Sequence, residues 1–303
     1  MIFIWRMIMT SIILLSLLAG VMFAFSGIAY RIGTAGNVQP IQCGVGLSFI
    51  GFAGFGLLGL HEWQYMDWQL ALILTVTGVT QYLVIAMLRY AFKIGPLSPV
   101  WCAVSLGFIP VIIYAAIGCG ENLSFCQYIS IAATVGAIIS ASLSCKDDGN
   151  KESSLRNKII YCVILLLLVL FNSTLSIALK LCSNLTLPGS GVTYKAVCGN
   201  VILSVVYFFI MVLGAIDLTV RKKWVFNRYA WCGSGLLAVG ACSGYGLQLY
   251  LVDRAPAVIV FALSNTVSIL GAALISVVIF KEKITRSWYF TIGFSILAIV
   301  LNR

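Results

Sequence analysis

Ten apolar stretches alternate with short polar breaks along the whole chain. All but the last are long enough, near 20 residues at about 1.5 Å per residue, to cross the hydrocarbon core of a bilayer as a helix. The pattern predicts helices over 7–29, 41–60, 69–88, 98–118, 124–143, 158–180, 192–215, 230–252, 257–280 and 287–301. Runs such as "IIYCVILLLLVLFNSTLSIALK" are apolar on every face instead of alternating, so an internally satisfied backbone has to be helical and not a barrel. The N-terminal "MIFIWRMIMTSIILLSLLAG" has the look of a signal sequence but no small-x-small cleavage site, and is read as the first helix.

Composition sharpens this into an all-α integral membrane protein. Of 303 residues, 61% are hydrophobic and 9% charged, which leaves almost nothing for a soluble domain. The excess of ten positive charges argues about topology and not about nucleic acid, because basic residues concentrate in cytoplasmic loops. Five bases (Arg6, Lys180, Lys195, Arg254, Arg303) fall on the face that carries both termini and fourteen on the other, so the count puts both termini outside the cytoplasm. The ten cysteines are scattered singly without a C-x-x-C pair, and His61 is the only histidine, so neither a disulfide framework, a metal site nor a cofactor site is expected.

The longest polar stretch, "CKDDGNKESSLRNK" at 145–158, divides the helices five and five: a first repeat over 1–144, a linker at 145–157 and a second repeat over 158–303. At an offset of 149, Gly27 to Arg31 falls on Ser176 to Lys180. At an offset of 161, Glu121 falls on Glu282, Ser124 on Thr285, Tyr128 on Tyr289 and Ala132 on Gly293. With five helices per half, the second copy would be inserted upside down relative to the first, a transporter arrangement.

Ten helices as two inverted five-helix repeats, with a small-residue-rich run leading to Glu-x-x-Ser/Thr, resemble the drug/metabolite transporter superfamily, in particular its EamA-type branch. The stretches that carry the resemblance are 251–301, "LVDRAPAVIVFALSNTVSILGAALISVVIFKEKITRSWYFTIGFSILAIVL", and its looser copy at 88–140. The resemblance implies a solute carrier with a central cavity lined from both halves, working by alternating access. The chain departs from the family in two respects: the family keeps both termini in the cytoplasm, and the connection after the second helix reads "HEWQYMDW" without a basic cluster.

All nine acidic residues fall in loops or at helix ends, so the intramembrane carboxylate typical of proton coupling is lacking and a facilitator or exchanger is favoured. Polar residues within apolar helices are candidates either for helix packing or for a solute site. Gln81, Asn172, Asn200, Gln248 and Asn265 stand out because a side-chain amide has several hydrogen-bond positions to satisfy. Ser176 shares a helical stripe with Asn172, while Trp101, Tyr207 and Tyr245 serve either as core or as stacking surfaces. Ser264, Ser268 and Gly271 form a small-residue seam. Lys195 either snorkels to the interface or, with Lys180 and Arg31, attracts an anionic group.

The sequence therefore predicts a multi-pass inner-membrane transporter of a small polar metabolite such as an amino acid or sugar. A drug or organic-cation exporter and a non-transporting scaffold or receptor are the alternatives. Its partners are a small-molecule solute and the lipid bilayer, with no nucleic acid; a homodimer is left open. With one histidine and no carboxylate-rich loop, a membrane enzyme is disfavoured.

Overall fold

Helices run in chain order as α1 (Ile2–Ala35), α2 (Pro40–Leu58), α3 (Trp68–Ile94), α4 (Leu97–Ser105), α5 (Phe108–Cys119), α6 (Phe125–Ser142), α7 (Lys151–Asn184), α8 (Tyr194–Val220), α9 (Arg228–Leu251), α10 (Ala257–Val278) and α11 (Arg286–Val300). The structure, a computed structural model, describes residues 2–94, 97–119, 124–142, 151–188, 191–252, 254, 257–278 and 286–301. Among the described residues there is no strand, only an isolated bridge between Thr186 and Thr193. Glu121, Lys281, Glu282, Lys283, Thr285 and residues 145–150, which carry the Glu-x-x-Ser/Thr match and much of the linker, lie outside them.

Among the described residues, five helical segments are long and apolar enough to cross a membrane: Thr10–Ala35, Pro40–Leu58, Trp68–Ile94, Arg156–Asn184 and Tyr194–Val220. Their outer faces leave Leu14, Phe49, Leu72, Val76, Leu166 and Ile216 exposed, a surface suited to hydrocarbon and not to water.

The helices differ from the sequence expectation in three places. The predicted fourth helix, 98–118, is two helices broken at Leu106 and Gly107. Pro110 explains the break, since it has no N–H for the carbonyl of Leu106 four residues back and its ring crowds that carbonyl. The chain passes the break through three-residue bonds, Leu106 N to Ala103 O (3.1 Å), Gly107 N to Val104 O (3.2 Å) and Ile109 N to Leu106 O (3.1 Å). Secondly, α7 begins at Lys151, so residues 151–157 of the expected linker form its first turns. Lys, Glu, Leu and Arg are good helix formers, and polarity alone does not mark a loop. Thirdly, α8 has a kink at Cys198 (φ −124°, ψ 22°) that apolar patterning does not reveal.

Packing runs largely between the two ends of the chain. Helix α1 lies on α9 and α10, α3 on α7 and α8, α2 on α8 and α9, α4 on α7 and α10, α5 on α7, and α6 on α11. Small residues allow the closest approach, because a Cβ on Gly20 would sit 2.4 Å from the Ser264 carbonyl oxygen and one on Gly271 2.7 Å from the Ala24 Cβ. The expected Ser264–Ser268–Gly271 seam is thus where α10 meets α1.

Polar side chains pin the connections. Asn227 caps α9 by accepting from Ala230 N (2.9 Å) and donates to the Gly36 carbonyl at the end of α1 (3.1 Å). Gln42 in α2 pairs with both backbone groups of Val225 in the connection before α9. Asp67 accepts from Leu70 N at the start of α3 (2.8 Å) and from the Tyr194 hydroxyl at the start of α8.

Candidate binding cavity

The side chains that pack α1, α2, α3, α4, α5, α7, α8, α9 and α10 together leave a cavity of about 110 Å³ between them. That is roughly seven to eleven times the minimum space for one water molecule. Both halves of the chain contribute. Gln81, Trp101, Asn172, Ser176, Tyr207, Tyr245, Gln248 and Asn265 all line it, eight of the ten candidates read from the sequence. Lys195 and Asn200 are not among the lining residues, nor are Lys180 and Arg31.

Several lining groups spend part of their hydrogen-bonding capacity on the frame. The Gln81 amide of α3 donates to three α7 acceptors, the carbonyls of Phe171 (3.1 Å) and Asn172 (3.3 Å) and Thr174 Oγ1 (3.2 Å). Asn172 Nδ2 donates to the Val104 carbonyl (2.9 Å) at the end of α4, and so satisfies an acceptor next to the helix break. Trp101 Nε1 and Ser105 Oγ both donate to Ser268 Oγ, at 3.3 and 3.5 Å, which ties α4 to α10. Gln248 Nε2 donates to Ser264 Oγ (3.0 Å), joining α9 to α10. Asn265 Nδ2 bonds back to the Phe261 carbonyl of its own helix (2.7 Å).

Other lining atoms are not engaged. Ser26 Oγ, the Tyr207 hydroxyl and Gln248 Oε1 are buried without a hydrogen-bond partner among the described residues. Their side chains are 3%, 3% and 2% exposed, so bulk water does not satisfy them. The Cys242 thiol, a weak partner at best, lies near the Tyr207 hydroxyl. Buried polar atoms left open are uncommon and costly, and these three belong to residues that line the one cavity.

Aromatic rings form much of the wall and are held by one another. Tyr207 stacks on Phe55 (centroids 6.0 Å, 13°), Tyr245 meets Phe23 edge to face (4.9 Å, 70°) and Tyr30 tilts against Trp101 (6.1 Å, 55°). Phe23, Ser26 and Tyr30 of α1 line the cavity although the sequence reading did not select them. Their spacing of three and four residues puts them on one helical face, which is the signal that would have found them.

Among the described residues that line it, none is Asp, Glu, Lys, Arg or His. The charged groups whose partners are resolved belong to the frame. Arg89 lies 3.6 Å from Asp217, which also holds Arg221 (2.6 Å), so Arg89 at the end of α3 is a packing residue. Glu62 accepts from Asn200 Nδ2 (2.6 Å) and from the backbone amides of Asn200 (2.8 Å) and Val201 (3.2 Å), just beyond the α8 kink. Asn200 is thereby committed to the connection between α2 and α3. Among the described residues no group of three His, Cys, Asp or Glu side chains is placed to hold a metal ion.

No protein-family model and no curated protein sequence matches the chain. The fold does recur among solved structures. One, described as "Crystal structure of protein", superposes with a TM-score of 0.66 over 96% of this chain and 96% of its own, at 14% sequence identity. That likeness establishes a shared fold and carries no activity with it.

Proposed function

We propose that the chain is a multi-pass membrane transporter of a small polar solute, in which two inverted five-helix halves expose one central site alternately to either side. The observation that carries this reading is the cavity, polar yet free of formal charge, lined from both halves and bordered by the break between α4 and α5. Interrupted helices at mid-membrane are typical of transporters, where ends of half-helices present backbone groups to the solute.

The pairing of helices supports the repeat. Exchange α1 with α7, α2 with α8, α3 with α9, α4 and α5 with α10, and α6 with α11. The packing of α1 on α9 then becomes that of α7 on α3, and the packing of α2 on α9 becomes that of α8 on α3. The pairs α2 with α8, α6 with α11, and α4 with α10 map onto themselves. Two halves related by a two-fold axis would produce this pattern. It agrees with the resemblance to the EamA-type branch of the drug/metabolite transporter superfamily, to which we assign the chain as part of the proposal.

The cavity lining holds no carboxylate, which favours a facilitator or exchanger over proton coupling and weighs against an organic-cation exporter. A scaffold has no need of a polar cavity lined from both halves of the chain. The exposed Arg221, Lys222 and Lys223 after α8 support a cytoplasmic location for that end, and hence termini outside the cytoplasm of an inner membrane.

Proteoliposomes loaded with amino acids, sugars and organic cations test the function. Saturable flux of at least one solute above that of protein-free vesicles is expected. Flux no faster than in protein-free vesicles for every solute overturns the proposal.

A further inference from the structure

We infer that the cavity selects an uncharged solute that joins a flat ring to a hydrogen-bond donor, and that Gln248 Oε1 receives that donor. The inference rests on the cavity being the solute site.

Three observations lead there. Gln248 Nε2 is spent on Ser264, and Oε1, which can only accept, is left open at a side chain 2% exposed. It accepts only, so a donor has to satisfy it, a water in the empty site and a donor of the solute in the filled one. Ser26 Oγ, equally buried and open, and the Tyr207 hydroxyl, whose neighbour is only the weakly bonding Cys242 thiol, each donate or accept, so they suit a second polar atom of the same molecule. A carboxamide or a hydroxylated ring carries both kinds of group.

The charge follows from what is missing in the wall. An anion would be desolvated with no basic lining residue to meet it, and a cation with no carboxylate. An aromatic cage for a cation needs ring faces open around one point. Here Tyr207 lays a face against Phe55, and Phe23 and Tyr245 engage each other. Trp101, Tyr30 and Phe108 also line the cavity, Tyr30 and Trp101 in contact with each other, and such an aromatic, apolar wall is best covered by a ring.

The test uses isosteric sets that differ in charge: benzamide, benzoate and benzamidinium; nicotinamide, nicotinate and 1-methylnicotinamide; indole-3-acetamide, indole-3-acetate and tryptamine. Binding to the full-length protein in nanodiscs is measured by intrinsic tryptophan fluorescence and by calorimetry. In at least one set the neutral amide is expected to bind at least ten-fold more tightly than both ions. Failure of every amide to bind, or an ion binding as tightly as its amide in every set, overturns the inference.

Two variants locate the effect. Gln248→Leu removes the acceptor, and Tyr207→Phe removes an open hydroxyl while keeping the ring, so the second folds even if the first does not. A loss of affinity of ten-fold or more in either supports the inference, and affinity within two-fold of the parent in both overturns it. Flux in proteoliposomes is read separately. Amides that bind but do not cross sink the transport reading and leave the selectivity standing; saturable flux restricted to ions does the reverse.

Discussion

Glu62 grips Asn200 from 138 residues away in the chain, its carboxylate accepting from the Asn200 side chain at 2.6 Å and from the backbone amide at 2.8 Å. The contact sits immediately beyond the Cys198 kink of α8, where it acts as a cap for the longer part of that helix. Glu62→Ala is expected to lower stability by about 1.5–3 kcal/mol, the range for hydrogen bonds to a charged group, measured as thermal unfolding in detergent. Asn200→Ser should leave solute affinity within two-fold of the parent, because Asn200 is outside the cavity. A ten-fold loss there would restore Asn200 as a solute ligand.

Asp217 and its two arginines should respond unequally to mutation. Arg89 is buried, whereas Arg221 is 47% exposed and free to turn to solvent. Asp217→Leu leaves the buried guanidinium with the Tyr90 hydroxyl (2.9 Å) but no counter-charge, and is expected to cost up to about 3–5 kcal/mol, as for a broken buried pair. Arg89→Leu leaves Asp217 with Arg221 and should cost less. Equal losses in the two variants would argue that the pair is solvated.

The seam between α1 and α10 has no room for side chains. Gly20→Val, with its Cβ forced against the Ser264 carbonyl, should destabilise by about 1–3 kcal/mol through overpacking or prevent accumulation of folded protein. Gly54→Ala in α2 meets nothing within 4 Å and should be neutral or stabilising by up to about 1 kcal/mol. Melting curves of the two compared with the parent decide this.

Asn172→Leu removes the donor for the Val104 carbonyl beside the helix break. The Val104 carbonyl keeps only its 3.2 Å bond from Gly107 N, at a cost of about 0.5–1.5 kcal/mol for the bond lost, and a cavity-lining amide is lost as well. Reduced melting temperature and reduced solute affinity together are expected; unaltered affinity would separate the break from the site.

The sequence made much of this arrangement legible because polar groups are expensive on membrane helices. Gln81, Trp101, Asn172, Tyr207, Tyr245, Gln248 and Asn265 stand out against Leu and Val, and all reach one cavity. The same reasoning misplaced Asn200, since nothing local announces that Glu62 takes it. Lys195 was ambiguous for a related reason: a base one turn inside a helix reads alike whether it faces a cavity or the interface. The break at Gly107 was readable from Pro110, but continuous apolarity masked it. Phe23, Ser26 and Tyr30 share a face of α1, yet a single serine and two aromatics do not rise above the packing background.

Alternating access is tested most directly at Ser176, which lines the cavity. Ser176→Cys is placed in a chain from which the ten native cysteines have been removed, and labelled in sealed vesicles with a membrane-impermeant maleimide from one side or the other. Labelling from both sides, slowed by a bound solute, is the expected result. Labelling from one side only, whatever the solute present, would contradict a site that opens alternately to both.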